Sequence, residues 1–259
     1  MSFLSRITLV VALLGASFSA FADDASALIK EVLNLAGVEK QLEEIAHFAE
    51  NEIETRKDAL AEADYLSLKS RMTATFASEK LRVAVENSLA QTARDPRFAA
   101  WRDTLQQPLV AKMTQLENQS SGASAFRELS NYAEKLQHFP PPPARVDLVT
   151  RLAKATYATA LAMDSHIAVT KVLLRLINPS LPENKQLDAK KEERILVDLR
   201  SQLEENLKDV AMITYLYTYR DVSDEELNQY AMLYETSPGQ WVTENLVKAI
   251  RAALDAAAP

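Results

Sequence analysis

The sequence predicts an all-α fold, two related antiparallel helical units joined by a proline-rich linker. Three observations carry this reading. The 259 residues hold only four glycines, while the strong helix formers Ala, Leu, Glu and Lys are abundant. No stretch sustains the two-residue alternation of a half-buried strand. Apolar residues recur instead at helical spacing, as in Val38, Leu42, Ile45, Ala49 and Ile53.

In chain order, residues 1–22 read as an export signal. Arg6 supplies the positive start, Ile7 to Phe18 the apolar run, and Ala20-Phe21-Ala22 a small-residue cleavage site before Asp23-Asp24. An uncleaved anchor is the alternative, but the run is short for a membrane span and ends abruptly in polar sequence. No cysteine follows it to carry a lipid. Cleavage is expected after Ala22, giving a soluble chain that is periplasmic or secreted.

The N-terminal helical unit is expected over 23–138. Inside it, Asp95-Pro96 pairs an N-cap with proline at the first helical position. Phe139-Pro140-Pro141-Pro142-Pro143 then breaks any helix, and a stiff extended linker is expected over 139–143. The C-terminal unit covers 144–259. There Ile167 to Ile177 is apolar almost all round, which suggests a central buried helix or one completed by another subunit. Asn178 to Asn184 is a connection rich in proline and polar residues. Asp188 caps a long charged helix, with Ile195, Leu199, Leu203, Leu207 and Val210 as its apolar stripe. Ser223-Asp224-Glu225-Glu226 has capping-box spacing.

The halves resemble each other. Leu28-Ile29, Val32 and Val38 share their spacing with Leu148-Val149, Leu152 and Ala158. The segment from Asp95 lies ungapped on that from Asp224, pairing Phe98, Trp101, Leu105 and Met113 with Leu227, Tyr230, Tyr234 and Val242. Each segment also has a proline near its centre. A duplicated helical unit explains both patterns.

Between the last two expected helices lies Tyr234-Glu235-Thr236-Ser237-Pro238-Gly239-Gln240-Trp241. Pro238 suits a first helical turn, Ser237 is placed to cap it, and Gly239 permits close backbone approach. The stretch offers no nucleophile–base couple, so it reads as a hinge. Val222 to Leu227 followed by Leu233 to Gln240 resembles the signature of the domain-of-unknown-function 2059 family, exported bacterial helical proteins. The match is clearest over 219–245, with Pro238 one position later than the family's pattern and a more divergent N-terminal half. The resemblance implies an exported all-α protein and transfers no catalytic residue.

Charge and chemistry narrow the function. Without the signal, 28 basic against 36 acidic side chains leave a net charge of −8, unsuited to a phosphate backbone. The richest basic segment, Lys190-Lys191 with Arg194, is offset by Glu192-Glu193. With no cysteine there are no disulfides, so buried apolar surface must hold the fold. No span is expected after signal removal.

Glu44-Ile45-Ala46-His47 has Glu-x-x-His spacing, but the spacing occurs once and no cysteine can complete a zinc site. Ser165 and His166 are neighbours and point to different faces of a helix. The pairs Glu43-Glu44, Glu204-Glu205 and Glu225-Glu226 do not converge for the same reason. No catalytic residue, metal ligand or cofactor motif emerges. The aromatics are more informative: Tyr215 with Tyr219 and Tyr230 with Tyr234 are four apart, each pair on one face. They are either core or the wall of an amphipathic groove. On the groove reading, Tyr219, Tyr230, Tyr234 and Trp241 contact a ligand or partner.

The expectation is a non-enzymatic binding or interaction protein whose partner is a protein or cell-envelope component. Nucleic acid is not expected, and a homo-oligomer is compatible with the apolar 167–177 segment. The alternatives are an envelope hydrolase acting on peptidoglycan or polysaccharide and a holdase-like chaperone.

Overall fold

Strong local start signals set the helices of the computed structural model, which describes residues 24–120 and 123–258, with side chains from 127 onward in the second stretch. The expected signal segment 1–22 lies outside the described residues. Helix α1 covers 24–35. It is followed by α2 (Val38–Glu54), α3 (Glu62–Thr75), α4 (Ser78–Leu89), α5 (Pro96–Leu105), α6 (Pro108–Gln119) and α7 (Ala123–His138). After the prolines come α8 (Pro143–Ala155), α9 (Ala158–Ile177), α10 (Ala189–Thr218), α11 (Asp224–Glu235) and α12 (Ser237–Ala257). Among the described residues there is no strand, and the fold is all-α.

The caps follow from side-chain chemistry. Asp95 Oδ1 accepts from the Arg97 N–H at 2.9 Å, with Pro96 in the first turn of α5. Asp188 accepts from the Lys191 N–H at 2.8 Å to start α10. Ser223 and Glu226 form a reciprocal capping box at the head of α11. At α12 the cap is Thr236, one residue earlier than the expected Ser237. Its Oγ1 accepts from the Gly239 N–H at 3.1 Å. The helix begins early because proline is tolerated anywhere in the first turn, where the N–H has no intrahelical partner.

Helices from both sides of the prolines share one core, which joins Leu42, Met72, Val85, Trp101 and Met113 to Val149, Val169, Tyr219, Tyr230 and Ile250. Helix α12 packs most extensively on α4 and also on α5 and α9, while α11 lies on α8 and α10 on α9. Along α12, Leu246, Val247, Ile250 and Leu254 are buried, each stabilising the fold by about 2 kcal/mol. Helix α9 is central as expected: of its Ile167–Ile177 stretch, Arg175 alone is exposed.

Helix α10 departs from its expected stripe. Leu207 is buried and Leu199 and Leu203 half-buried, but Ile195 and Val210 are exposed. At 30 residues the helix is about 45 Å long. It packs on α9, α8 and α7, and besides Leu207 its buried residues, Leu216, Tyr217 and Thr218, lie in its last turn.

Two local devices recur. The α1–α2 and α8–α9 joints each turn on a left-handed residue, Gly37 at φ 67 and Tyr157 at φ 58. Gln106, after α5, donates to Glu31 of α1 at 2.8 Å, and Arg151 of α8 donates to Glu235 at the end of α11 at 2.6 Å.

Candidate functional site: a carboxyl–tyrosine cluster beside a cavity

The face of α6 that enters the core carries Val110, Met113 and then Glu117, at helical spacing. This register drives a carboxylate inward. Glu117 as a residue keeps partial exposure, but its carboxyl group is enclosed by protein. Two phenols meet it there. Tyr230 of α11 donates to Oε1 at 2.9 Å, and Tyr219, the residue closing α10, donates to the same oxygen. Tyr230 and Tyr234 hydroxyls lie 3.1 Å apart, and Tyr215 lies 2.9 Å from Thr156 Oγ1.

The rings pack edge-on. Centroids are 5.6 Å apart for Tyr215–Tyr219, 6.2 Å for Tyr219–Tyr230, 5.2 Å for Tyr230–Tyr234 and 5.2 Å for Trp101–Tyr234. Arg145, buried at the head of α8, clamps the corner. It donates to the Tyr219 carbonyl oxygen and, at 2.7 Å, to Asp224, which satisfies a carbonyl at the end of α10.

Beside the cluster is a cavity of about 100 Å³. Its polar lining comes from six segments: Gln41, Glu117, Thr156, Tyr215, Tyr234 and Thr243. Leu161, Leu246, Val247 and Ile250 form much of its apolar wall, and Trp101 borders it. Thr243 is 6% exposed, and among the described residues its buried Oγ1 has no hydrogen-bond partner.

The electrostatics follow from enclosure. Burial pushes the Glu117 carboxyl above the usual range, opposed by the donating Tyr219 and Tyr230 hydroxyls. Burial, reinforced by the Glu117 charge, raises Tyr219 and Tyr230 well above an ordinary phenol. Tyr215 and Tyr234 move the same way for the same two reasons. All four phenols therefore stay protonated and act as hydrogen-bonding groups, not as bases.

The structure separates the four expected groove residues. Tyr219 and Tyr230 are 0% and 1% exposed, so they form the core of the cluster and not the wall of an open groove. Their shared apolar surroundings draw the rings inward, and Glu117 supplies the polar partner that burial of a phenol requires. Tyr234 is half-buried and borders the cavity. Trp241 lies elsewhere, half-buried under the Arg97 guanidinium at 3.9 Å, with Arg97 held by Asp95. Glu117 and Thr243 were missed by sequence reasoning. Glu117 was detectable as a carboxylate on the Val110–Met113 face, whereas nothing local marks Thr243.

The other candidates do not assemble. Ser165 donates to the Leu161 carbonyl oxygen at 2.8 Å, while His166 packs on Phe48 with centroids 4.3 Å apart. His47 is exposed. Glu204 and Glu205 both face Lys208, and Glu226 serves its cap and Lys112. Among the described residues no group of acidic or histidine side chains is arranged to hold a metal ion, and no helix is long and apolar enough to cross a membrane.

No protein family, curated protein or solved structure matches the chain.

Proposed function

We propose that this chain is an exported, non-enzymatic binding protein of the periplasm or cell exterior, and that it holds a small envelope component in the tyrosine-lined cavity. One observation carries the reading: polar side chains from six segments, the solvent-exposed Gln41 among them, converge on one cavity beside the tyrosine cluster. The lining contributes one carboxylate, Glu117, whereas a glycoside hydrolase employs two. The resemblance of 219–245 to the domain-of-unknown-function 2059 family is part of the same proposal and supports export. Native mass spectrometry of protein purified without denaturant tests the reading. A small species retained in native spray and lost in denaturing spray supports it; turnover of peptidoglycan by the purified chain contradicts it.

Ile195, Val197 and Val210, exposed along α10, favour a second reading, a holdase-like chaperone. It predicts suppression of client aggregation that is lost in a Val197→Ser/Val210→Ser variant. No suppression at stoichiometric amounts removes it.

The duplicated-unit arrangement is proposed on the left-handed joints at Gly37 and Tyr157, which the sequence pairing places at equivalent positions. The same pairing aligns the Glu31–Gln106 contact with Arg151–Glu235. The likeness is incomplete, since α12 is longer than α6 and packs on α4. Superposition of the two halves in a crystal structure tests it, and unrelated helix paths would reject it.

A further inference from the structure

We propose that the segment from Phe139 to Pro142, between α7 and α8, is a docking arm for a protein partner that reads it in a groove walled by tryptophan and tyrosine rings.

Local chemistry fixes the shape of the arm. Proline holds its own φ at roughly −65° and pushes the residue before it into extended backbone. Phe139, Pro140, Pro141 and Pro142 each precede a proline, and Pro142 is observed at φ −56, ψ 142, a polyproline II conformation. Both ends are anchored. The Phe139 N–H donates to the Lys135 carbonyl oxygen at 2.8 Å, and the Pro142 carbonyl oxygen accepts from the Arg145 N–H at 2.9 Å. The extended form is thus held before any partner arrives, and binding it costs little ordering.

The arm also presents what such a groove reads. A polyproline II helix has three residues per turn, so Phe139 and Pro142 share one edge and Pro140 lies on the next. All three are exposed, while Pro141, on the third edge, is half-buried. Phe139 is 79% exposed, more than any other large apolar side chain among the described residues. A linker needs its prolines but gains nothing from a phenylalanine in water. The carbonyl oxygens of Phe139, Pro140 and Pro141 accept no backbone hydrogen bond among the described residues, and the prolines offer no N–H. The arm is therefore apolar and rich in free acceptors. It calls for rings to cover Phe139 and the proline faces, and for donors to meet the carbonyls. Tryptophan and tyrosine supply both from one side chain. Residues 139–144 carry no charge, so nothing in the arm selects an ion-pairing partner or an anionic lipid surface.

The test places a photo-crosslinker on the arm of the full chain, Phe139→p-benzoylphenylalanine, in the cell envelope of its native host. Leu66→p-benzoylphenylalanine, at a 55% exposed position on α3, is the control. After permeabilisation, a synthetic Phe-Pro-Pro-Pro-Pro peptide serves as competitor. The expected result is one discrete protein adduct from position 139 and none from 66, joined at a partner peptide that contains tryptophan or tyrosine. Its yield should fall about tenfold or more with excess peptide. A similar fall is expected when Pro140→Gly and Pro141→Gly are added, with a cooperative melt to establish folding. The competition acts on the unaltered fold and is decisive if that variant does not fold. No adduct, the same adduct from both positions, or an adduct that persists with peptide overturns the proposal. Linkage to a second copy of this chain or to lipid, in place of another protein, also overturns it.

Discussion

Tyr230 of α11 donates a 2.9 Å hydrogen bond to Oε1 of Glu117 on α6, joining the two halves of the chain inside their shared core. Tyr219 donates to the same oxygen. Either phenol alone would need a partner when buried, and one carboxylate serves both.

The Glu117 interaction should be visible in the pH dependence of stability. Burial raises its pKa in the fold above the ordinary 4.5, so the folded state holds the proton more tightly than the unfolded chain. Its stabilising contribution is full below the unfolded value and is lost as pH rises through the folded one. Glu117→Gln removes that loss. Thermal melts from pH 4 to pH 8 should move in the variant's favour with rising pH, by about 3 °C for each tenfold tightening of the proton. Parallel curves for the two proteins would show that Glu117 titrates normally.

At the other end of the pH range, Asp95 is held down to about 2 by its side-chain hydrogen bond to Arg97, with the Arg97 backbone N–H adding to it. Its contribution is present above the ordinary 3.8 and lost as pH falls toward 2. Asp95→Ala should therefore lower the melting temperature at neutral pH and converge with wild type in acid. A constant gap across that range would count against the ion-paired cap.

Thr243 offers a conservative test of an unpaired hydroxyl. Exchange for valine keeps the shape and removes a buried polar group that has no partner among the described residues. Stability should stay level or rise by about 1 kcal/mol in urea melts of the ligand-free protein. A loss of similar size would mean that ordered water already satisfies the hydroxyl.

Two glycines should respond to alanine for different reasons. Gly37 sits at φ 67 with room around it, since an added Cβ would lie 3.8 Å from its nearest neighbour. Its substitution costs backbone strain alone, about 1 kcal/mol. Gly239 is helical, where alanine usually gains about 0.5–1 kcal/mol. Its Cβ would, however, stand 2.3 Å from the Leu233 carbonyl oxygen and 3.0 Å from Trp101. Overpacking wins there, with a net cost of about 1–3 kcal/mol. Urea melts of Gly37→Ala and Gly239→Ala measure both costs, and a stabilised Gly239→Ala protein would refute the close approach of α11 and α12.

Much of the fold was legible because its signals are local. Asp95, Asp188 and Ser223 mark their helices through side-chain bonds reaching only two or three residues along the chain. The four-residue spacing of Tyr230 and Tyr234 placed both on one face, but spacing does not say whether a face looks inward. That depended on Glu117, more than a hundred positions earlier, which reads as a solvated charge until α6 is packed. The α10 stripe misled for the same reason: periodicity is a property of the helix, whereas burial of Ile195 and Val210 requires a neighbour they lack.

The site depends most directly on what occupies the cavity beside Glu117. A high-resolution crystal structure of the protein purified without denaturant measures this. The account predicts continuous density for a bound small molecule, with a polar atom within hydrogen-bonding distance of the Tyr234 hydroxyl and an apolar part against Leu246 and Ile250. Separate water peaks along the cavity, with no continuous density between them, would contradict it.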